Sequence, residues 1–164
     1  AVAVFGVGHV GLELARILTR HDVELPLVDS RATHVMAPAS LGDGPATVHL
    51  HHAPVPELVL SSLPTGCPVL VMTHGHAEDF ALCDEALRST EAGSIGLIGS
   101  SAKWRRFEKG LREQGHDEPT VARTTSPLDS DGLTGKEPAM LALGIATALV
   151  RAMAGSREAR RARP

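Results

Sequence analysis

The sequence predicts an α/β domain in which a doubly wound, mostly parallel sheet carries helices on both faces. Three observations predict this fold. Short, almost wholly apolar segments alternate with amphipathic segments along the chain, as expected of buried parallel strands joined by crossover helices. The length of 164 residues suits one domain with its own hydrophobic core. Aromatic residues make up only 2% of the chain, so the core must be built from aliphatic side chains.

The first half of the chain predicts three strands around one helix. An apolar run opens the sequence, and Val10, Leu14 and Leu18 then repeat on one face of a helix. Next, an apolar segment ends at Asp29, and a stretch containing Pro, Gly and Asp follows it. The predicted elements are a strand over 1–5, a helix over 9–20, a strand over 23–28, a loop over 31–45 and a strand over 47–51.

The second half continues the alternation. Pro64 and Gly66 close a short helix, and Trp104, Phe107 and Leu111 lie at i, i+3 and i+7 of a longer one. The predicted elements are a short helix over 55–66, a strand over 68–73, a helix over 78–89, a strand over 94–99, a helix through 104–111, an irregular segment over 119–135 and an Ala-rich helix over 137–154. We therefore predict a Rossmann-like domain over residues 1–154 and a basic, flexible tail over residues 155–164.

Composition and charge exclude several classes of protein. The net charge is −3 and aromatic residues are scarce, so the sequence does not favour nucleic-acid binding through a basic surface or base stacking. No apolar run approaches the roughly 20 residues that a membrane-spanning helix needs. Cys67 and Cys83 are too few for a disulfide framework, and they read as small buried apolar residues. With no signal peptide visible, we expect a cytoplasmic protein.

The first candidate site is the glycine-rich turn "FGVGHVG". Gly6, Gly8 and Gly11 have the G-x-G-x-x-G spacing between a predicted strand and a predicted helix, whose N-terminus can bind a phosphate. Asp29 ends the next strand, where a carboxylate can accept hydrogen bonds from a ribose diol. The motif predicts a nucleotide or pterin phosphate, and a vestigial glycine turn is the alternative. Asp29 favours NAD over NADP, although Arg31 weakens that distinction.

The second candidate site lies where a central strand meets a helix, in "VMTHGHAEDFALCDEAL". Thr73 and His74 follow the strand, at the edge of the sheet where open α/β folds bind ligands. Asp79 could contact the ligand or cap the helix. His74 and His76 could bind a metal ion, but no nearby Cys or Glu completes a ligand set. We therefore predict a ligand-binding edge without a metal.

The third candidate site is "LIGSSAK", which again joins a strand tip to a helix. Ser100 and Lys103 could hold an anion at this point. The alternative is an N-cap Ser with an exposed Lys.

Several catalytic signatures are absent from the sequence. It contains no P-loop, no nucleophile elbow, no H-E-x-x-H motif and no Tyr. A dinucleotide-binding domain of this length leaves little chain for a substrate domain. The residues thus favour a binding domain over an autonomous dehydrogenase.

Four segments together resemble one known family. They are "FGVGHVG" with the following "LVDSR", "VMTHGHAEDFALCDEAL", "GLIGSSAKWRRFEKGLREQG" and "LTGKEPAMLALGIATALV". In their order they are similar to the carboxy-terminal domain of the xanthine dehydrogenase accessory protein (XdhC/CoxI) family. The resemblance extends from Ala1 to about Ala154.

The resemblance implies a maturation factor. Such proteins bind the molybdenum cofactor (molybdopterin), protect it while a cysteine desulfurase supplies a sulfido ligand, and help to insert it into xanthine dehydrogenase or a related molybdenum hydroxylase. A homodimer is left open. The residues that match the family motifs, and are therefore expected to bind the cofactor, are Gly6, Gly8, His9, Gly11, Asp29, Thr73, His74, Asp79, Gly99, Ser100, Lys103 and Lys136.

The sequence departs from the family pattern in two places. An amino-terminal region with a Cys-Gly-Gly type segment has no counterpart here, and "SPLD", Ser126 to Asp129, stands where related sequences tend to read Cys-Pro-Ile-Gly. The second departure puts Ser126 where a thiol is expected and Asp129 where a Gly is expected, and it bears on sulfuration more than on cofactor binding. The expected function is a cofactor chaperone, with an NAD(P)-binding oxidoreductase or redox-sensing domain as the alternative and a degenerate docking domain as a third hypothesis.

Overall fold

A computed structural model describes residues 1–35, 41–89, 92–126 and 137–161, and side chains as far as residue 154. The sheet has six parallel strands in the order β3-β2-β1-β4-β5-β6. The strands are β1 Ala3–Phe5, β2 Glu24–Asp29, β3 Thr47–His52, β4 Val69–Val71, β5 Ile95–Leu97 and β6 Thr124–Thr125. The α-helices are α1 His9–Leu18, α2 Ala32–Val35, α3 His76–Arg88, α4 Ser101–Glu113, α5 Glu118–Val121 and α6 Pro138–Arg161, and a 3-10 helix spans Pro56–Ser62.

Each face of the sheet has its own hydrophobic core because side chains alternate along the strands. In β1, Val4 faces the core that contains residues of α1 and α6, and Phe5 faces the core that contains residues of α3 and α4. Neighbouring strands follow the same rule, with Leu70 on the first face and Val71 on the second. Both faces are therefore covered by helices, and the predicted doubly wound, Rossmann-like fold is confirmed.

The strand order places a crevice between β1 and β4. From β1 the chain builds outward to β2 and β3 on one side, then crosses back to build β4, β5 and β6 on the other. At such a switch point the two loops that leave the strands diverge, and ligands bind outside the carboxyl ends of the strands. The β1–α1 and β4–α3 loops border this crevice.

The structure differs from the sequence prediction in two segments, which contain three elements that were not predicted. The predicted loop over 31–45 contains α2, and the segment predicted to be irregular from residue 119 contains most of α5 and all of β6. Asp117 caps α5 by accepting a hydrogen bond from the Thr120 N–H, and Pro119 lies in its first turn. A cap and a proline thus begin a helix that is too short to show periodicity.

Several helix boundaries also shift, and α1 ends at Leu18 instead of residue 20. Helix α3 begins at His76 instead of residue 78, and α6 continues to Arg161, past the expected end at residue 154. The division of the chain into a domain and a tail stays a prediction. Within the described residues, no helix has both the length and the apolar character needed to cross a membrane.

Candidate functional site

Two glycines of the β1–α1 loop are required by the packing of the chain itself. Gly6 has a φ of +102°, and a Cβ at this position would lie 2.3 Å from the Met72 carbonyl oxygen. A Cβ on Gly11 would lie 2.0 Å from the Gly6 carbonyl oxygen. Only glycine allows the turn at the end of β1 and the close approach of α1 to it.

Gly8 differs from both neighbours because nothing in the fold requires it to be a glycine. Its φ and ψ of −77° and −160° are open to any residue. The nearest atom to a Cβ would be Nη2 of Arg31, at 3.8 Å. Gly8 is also the N-cap of α1, and no described side chain caps this helix. The unsatisfied N–H groups at the start of α1 therefore face open space beside a guanidinium group, a combination that suits an anion.

Asp29 fixes the β1–α1 loop through hydrogen bonds to its carboxylate. Its buried carboxylate accepts hydrogen bonds from the Val7 N–H at 2.7 Å and from the backbone N–H of Arg31 at 2.9 Å. The guanidinium of Arg31 adds a bidentate contact, with both N···O distances at 2.9 Å. Burial acts to raise the pKa of Asp29, but the hydrogen bonds from Arg31 and Val7 and the Arg31 charge together lower it below its usual value.

These groups border a first cleft of about 380 Å³ at the switch point. Its lining includes Gly8, His9, Arg31, His34, His74 and Pro138. His9 is the exposed first residue of α1. The Nδ1 atom of His34 lies 3.1 Å from the Val7 carbonyl oxygen. The first cleft therefore joins the open start of α1 to polar side chains from α2 and from the β4–α3 loop.

Asp79 holds the β4–α3 loop in the same way as Asp29 holds the β1–α1 loop. Its carboxylate is 1% exposed and accepts the Thr73 N–H at 2.9 Å. Lys103 of α4 donates to the other oxygen at 2.5 Å, and also to the Ile98 carbonyl oxygen at 2.9 Å. Thr73 further exchanges hydrogen bonds with the backbone of Gly75 through its hydroxyl group. This network connects β4, α3, the end of β5 and α4.

A second cleft of about 480 Å³ lies over this network. Its lining includes His74, His76, Asp79, Ser100, Lys103 and Arg106. The first and second clefts share Thr73, His74 and Ile98. His74 is exposed at this shared border, and the described residues give it no hydrogen-bond partner.

The arrangement of these loops can be compared with known proteins. The family model of the XdhC Rossmann domain matches residues 2–149 of the chain. The chain belongs to this family. The expected resemblance to the xanthine dehydrogenase accessory proteins is confirmed at the level of the domain.

A solved structure supports the fold of this XdhC domain. A xanthine dehydrogenase from Bacillus halodurans superposes with a TM-score of 0.71 at 19% sequence identity. The match covers 94% of this chain and 42% of the Bacillus protein, so the chain spans less than half of that protein's length. At this identity the similarity shows the fold alone. No curated protein sequence matches the chain.

Most of the predicted site residues of this XdhC domain lie together at the carboxyl edge of the sheet. Those that line one or both clefts are Gly8, His9, Thr73, His74, Asp79, Gly99, Ser100 and Lys103. Gly6, Gly11 and Asp29 shape the loop beneath the first cleft. Lys136 lies outside the described residues. The structure thus brings the three predicted motifs to one edge, while their role in cofactor binding stays a prediction.

Three of the side chains have structural roles that the sequence analysis left open. Ser100 is the N-cap of α4 and accepts a hydrogen bond from the Lys103 N–H at 3.2 Å. Asp79 does not cap α3, whose N-cap is Gly75, but fixes Thr73. Lys103 is not the exposed residue of the alternative reading, since its side chain is 10% exposed and paired with Asp79. Residues 79 and 103 belong to different strand–helix units, so the sequence of either unit alone does not reveal their contact.

Sequence reasoning missed Arg106 and His34 as residues lining the clefts. Arg106 follows Lys103 by three positions, which places both on one face of α4, and this spacing was a usable signal. His34 carried no signal, because α2 lay inside a predicted loop. Arg31 was noted only for its effect on NAD and NADP preference, whereas it lies beside Gly8.

The remaining polar candidates do not join the clefts. Both Cys67 and Cys83 are buried, as expected. Burial raises the pKa of both thiols, that of Cys83 to about 12. The Ser126 hydroxyl group is buried, and no described residue forms a hydrogen bond with it. Among the described residues no three His, Cys, Asp or Glu side chains are grouped so as to hold a metal ion.

Proposed function

We propose that this XdhC domain binds the molybdenum cofactor and serves as an accessory factor in the maturation of a xanthine dehydrogenase-type molybdenum hydroxylase. Family membership supports an association with xanthine dehydrogenase. One observation carries the proposal of ligand binding. Gly8 leaves open space at an uncapped helix N-terminus, and nothing in the fold itself explains a glycine there.

The described residues fit a pterin that carries a phosphate group. The phosphate would be held by the N–H groups at the start of α1, with Arg31 beside them. The pterin edges present hydrogen-bond donors and acceptors, and the Thr73 hydroxyl group and the His74 ring offer partners at the border of the two clefts. When bound, the cofactor supplies the molybdenum centre of the recipient enzyme, and the domain supplies binding and orientation.

The chain's own residues favour a role in holding the cofactor over a role in transferring sulfur. Sulfur transfer through a cysteine requires an accessible thiolate. Both cysteines of this chain are buried in one hydrophobic core, and their raised pKa values keep them protonated near neutral pH. A cysteine desulfurase would therefore supply the sulfur without Cys67 or Cys83 as a carrier. We expect neither Cys67 nor Cys83 to react with a thiol reagent at pH 8 until the protein is unfolded.

An NAD(P)-binding domain is the second candidate function. The strand order and the glycine motif before α1 favour it, because both are typical of dinucleotide-binding folds. The state of Asp29 weighs against it, since both carboxylate oxygens are engaged by Arg31 and Val7. A ribose diol would have to displace the Arg31 guanidinium to reach this carboxylate.

An anaerobic titration of the purified chain with isolated molybdenum cofactor separates the two functions. The titration is run alone and then with excess NAD(H) or NADP(H) as competitor. We expect saturable binding of the cofactor that dinucleotides displace weakly or not at all. Dinucleotide binding without affinity for the molybdenum cofactor would contradict the proposal and support a nucleotide-binding module.

A further inference from the structure

The cationic side chains that line the two clefts differ in whether a carboxylate neutralises them. Among the described residues these cations are Arg31, Lys103 and Arg106. The first forms an ion pair with Asp29 and the second with Asp79. No described Asp or Glu forms an ion pair with Arg106, which is exposed at the second cleft. The second cleft therefore carries one positive charge that the described part of the protein leaves uncompensated.

The hydrogen-bond partner of Arg106 preserves this charge. Its Nη2 atom lies 2.8 Å from Nδ1 of His76, at the start of α3. A guanidinium group can only donate, so Nδ1 accepts and the His76 ring is neutral in this contact. A neutral acceptor orients Arg106 without cancelling its charge. The remaining N–H groups of the guanidinium stay available for an anion with two oxygen atoms, such as a phosphate.

The charge of Lys103, unlike that of Arg106, is neutralised by a carboxylate of the protein. Its ammonium group donates to Asp79 at 2.5 Å and to the Ile98 carbonyl oxygen at 2.9 Å, and lies 5.3 Å from the centre of the Phe107 ring. Two of its three N–H groups are thus committed to the protein. An anion could recruit Lys103 only at the expense of Asp79, whose buried carboxylate would then lose its cationic partner.

We propose that the second cleft holds a separate anion-binding subsite in which Arg106 recognises the anion, while Lys103 is a positioning residue. The inference rests on the proposed function of the first cleft and extends it. Because the clefts share Thr73, His74 and Ile98, one ligand can reach from the start of α1 to Arg106. The domain's ligand then belongs to a class that carries a second anionic group besides the phosphate held at Gly8.

The subsite can be tested with inorganic phosphate as the probe. The 17.2 kDa chain, labelled with ¹⁵N, is titrated while the backbone amide signals of residues 101–103 and the Nε–H signal of Arg106 are recorded. The test variant is Arg106→Gln, and the matched control is Arg105→Gln. Arg105 is also exposed on α4 but does not line the cleft. We expect Arg106→Gln to weaken the phosphate response of residues 101–103 about fivefold, and Arg105→Gln to leave it unchanged.

Two results would overturn the subsite. The first is an equal response of both variants, which would mean that phosphate senses only the general charge of α4. The second is a wild-type titration in which residues 101–103 do not respond at all. The double variant Asp79→Asn with Lys103→Met tests the division of roles in the same titration, because it removes the ion pair without leaving an unpaired charge in the cleft. We expect it to lose less phosphate affinity than Arg106→Gln, and a loss as large as that of Arg106→Gln would contradict the positioning role.

The phosphate and cofactor titrations together distinguish a failure of the subsite from a failure of the proposed function. If the wild-type chain fails to bind isolated molybdenum cofactor but shows an Arg106-dependent phosphate response, the proposed function fails and the subsite stands. If the cofactor binds and the phosphate response is the same in both variants, the proposed function stands and the subsite fails.

Discussion

The β1–α1 and β4–α3 loops at the switch point are both fixed by a buried aspartate, but different groups complete each loop. In each, a buried aspartate accepts the N–H group of a loop residue and pairs with a cation: Asp29 holds Val7 and Arg31, and Asp79 holds Thr73 and Lys103. The β1–α1 loop then relies on glycines whose backbone lies against backbone. The β4–α3 loop relies instead on side chains that link four elements of the fold.

The difference shows where each loop can meet a ligand. In the β1–α1 loop, Gly6 and Gly11 are fully used by the fold, which leaves Gly8 and the start of α1 facing the first cleft. In the β4–α3 loop, Asp79 and Lys103 satisfy each other, which leaves the His74 ring at the border. The backbone N–H groups at the start of α1 thus lie beside the polar side chains of the β4–α3 loop. A ligand with a phosphate at one end and polar edges beyond it matches this arrangement.

The sharpest test of the glycine loop compares two substitutions three residues apart. Gly11→Ala places a methyl group 2.0 Å from the Gly6 carbonyl oxygen, so the backbone must move. We expect it to lower the free energy of unfolding by about 4 kcal/mol. Gly8→Ala meets only the Arg31 side chain at 3.8 Å, and it should cost about 1 kcal/mol or less, as an N-cap change. Urea unfolding followed by circular dichroism measures both, and equal losses would remove the distinction between fold glycines and a site glycine.

The two aspartates should differ in the cost of neutralisation. Asp79→Asn leaves Lys103 charged at 10% exposure, and we expect a loss of about 3 kcal/mol in the free energy of unfolding. Asp29→Asn leaves Arg31, whose side chain is 32% exposed and can reach water, so a loss of about 1 kcal/mol is expected.

The same denaturation experiment on the double variant Asp79→Asn with Lys103→Met tests the cause. Removing both partners should recover part of the loss caused by Asp79→Asn alone, because no unpaired charge stays buried. Additive losses would show that Asp79 acts through its Thr73 contact and not through the ion pair.

Acid unfolding offers a smaller effect that is specific to the β1–α1 loop. The pKa of Asp29 is lowered in the folded protein, so its stabilising contribution is present above the ordinary pKa near 3.8 and is lost as the pH falls through the lowered value. Arg31→Gln removes the guanidinium charge and hydrogen bonds that lower the pKa of Asp29, so the effect of burial raises this pKa. The midpoint of acid unfolding should therefore move to higher pH in circular dichroism, and an unchanged midpoint would show that Arg31 does not set this pKa.

The sequence was sufficient for the fold and for the edge of the sheet at which the site lies. Alternating apolar runs predicted the strands, and the glycine spacing placed the turn between β1 and α1. The short α5 and β6 were missed because their lengths of 4 and 2 residues are below what periodicity can show. The pairing of Asp79 with Lys103 was missed because it joins residues 24 positions apart through the tertiary fold.

The central claim is that the open backbone at Gly8 holds the phosphate of the molybdenum cofactor. Anaerobic titration with isolated cofactor tests it most directly when Gly8→Val is compared with Gly75→Val. Gly75 is the N-cap of α3, and its Cβ position is equally open, with the nearest atom 4.0 Å away. We predict that Gly8→Val abolishes saturable binding while Gly75→Val retains it. Equal binding by the two variants would contradict the account and place the ligand away from the β1–α1 loop.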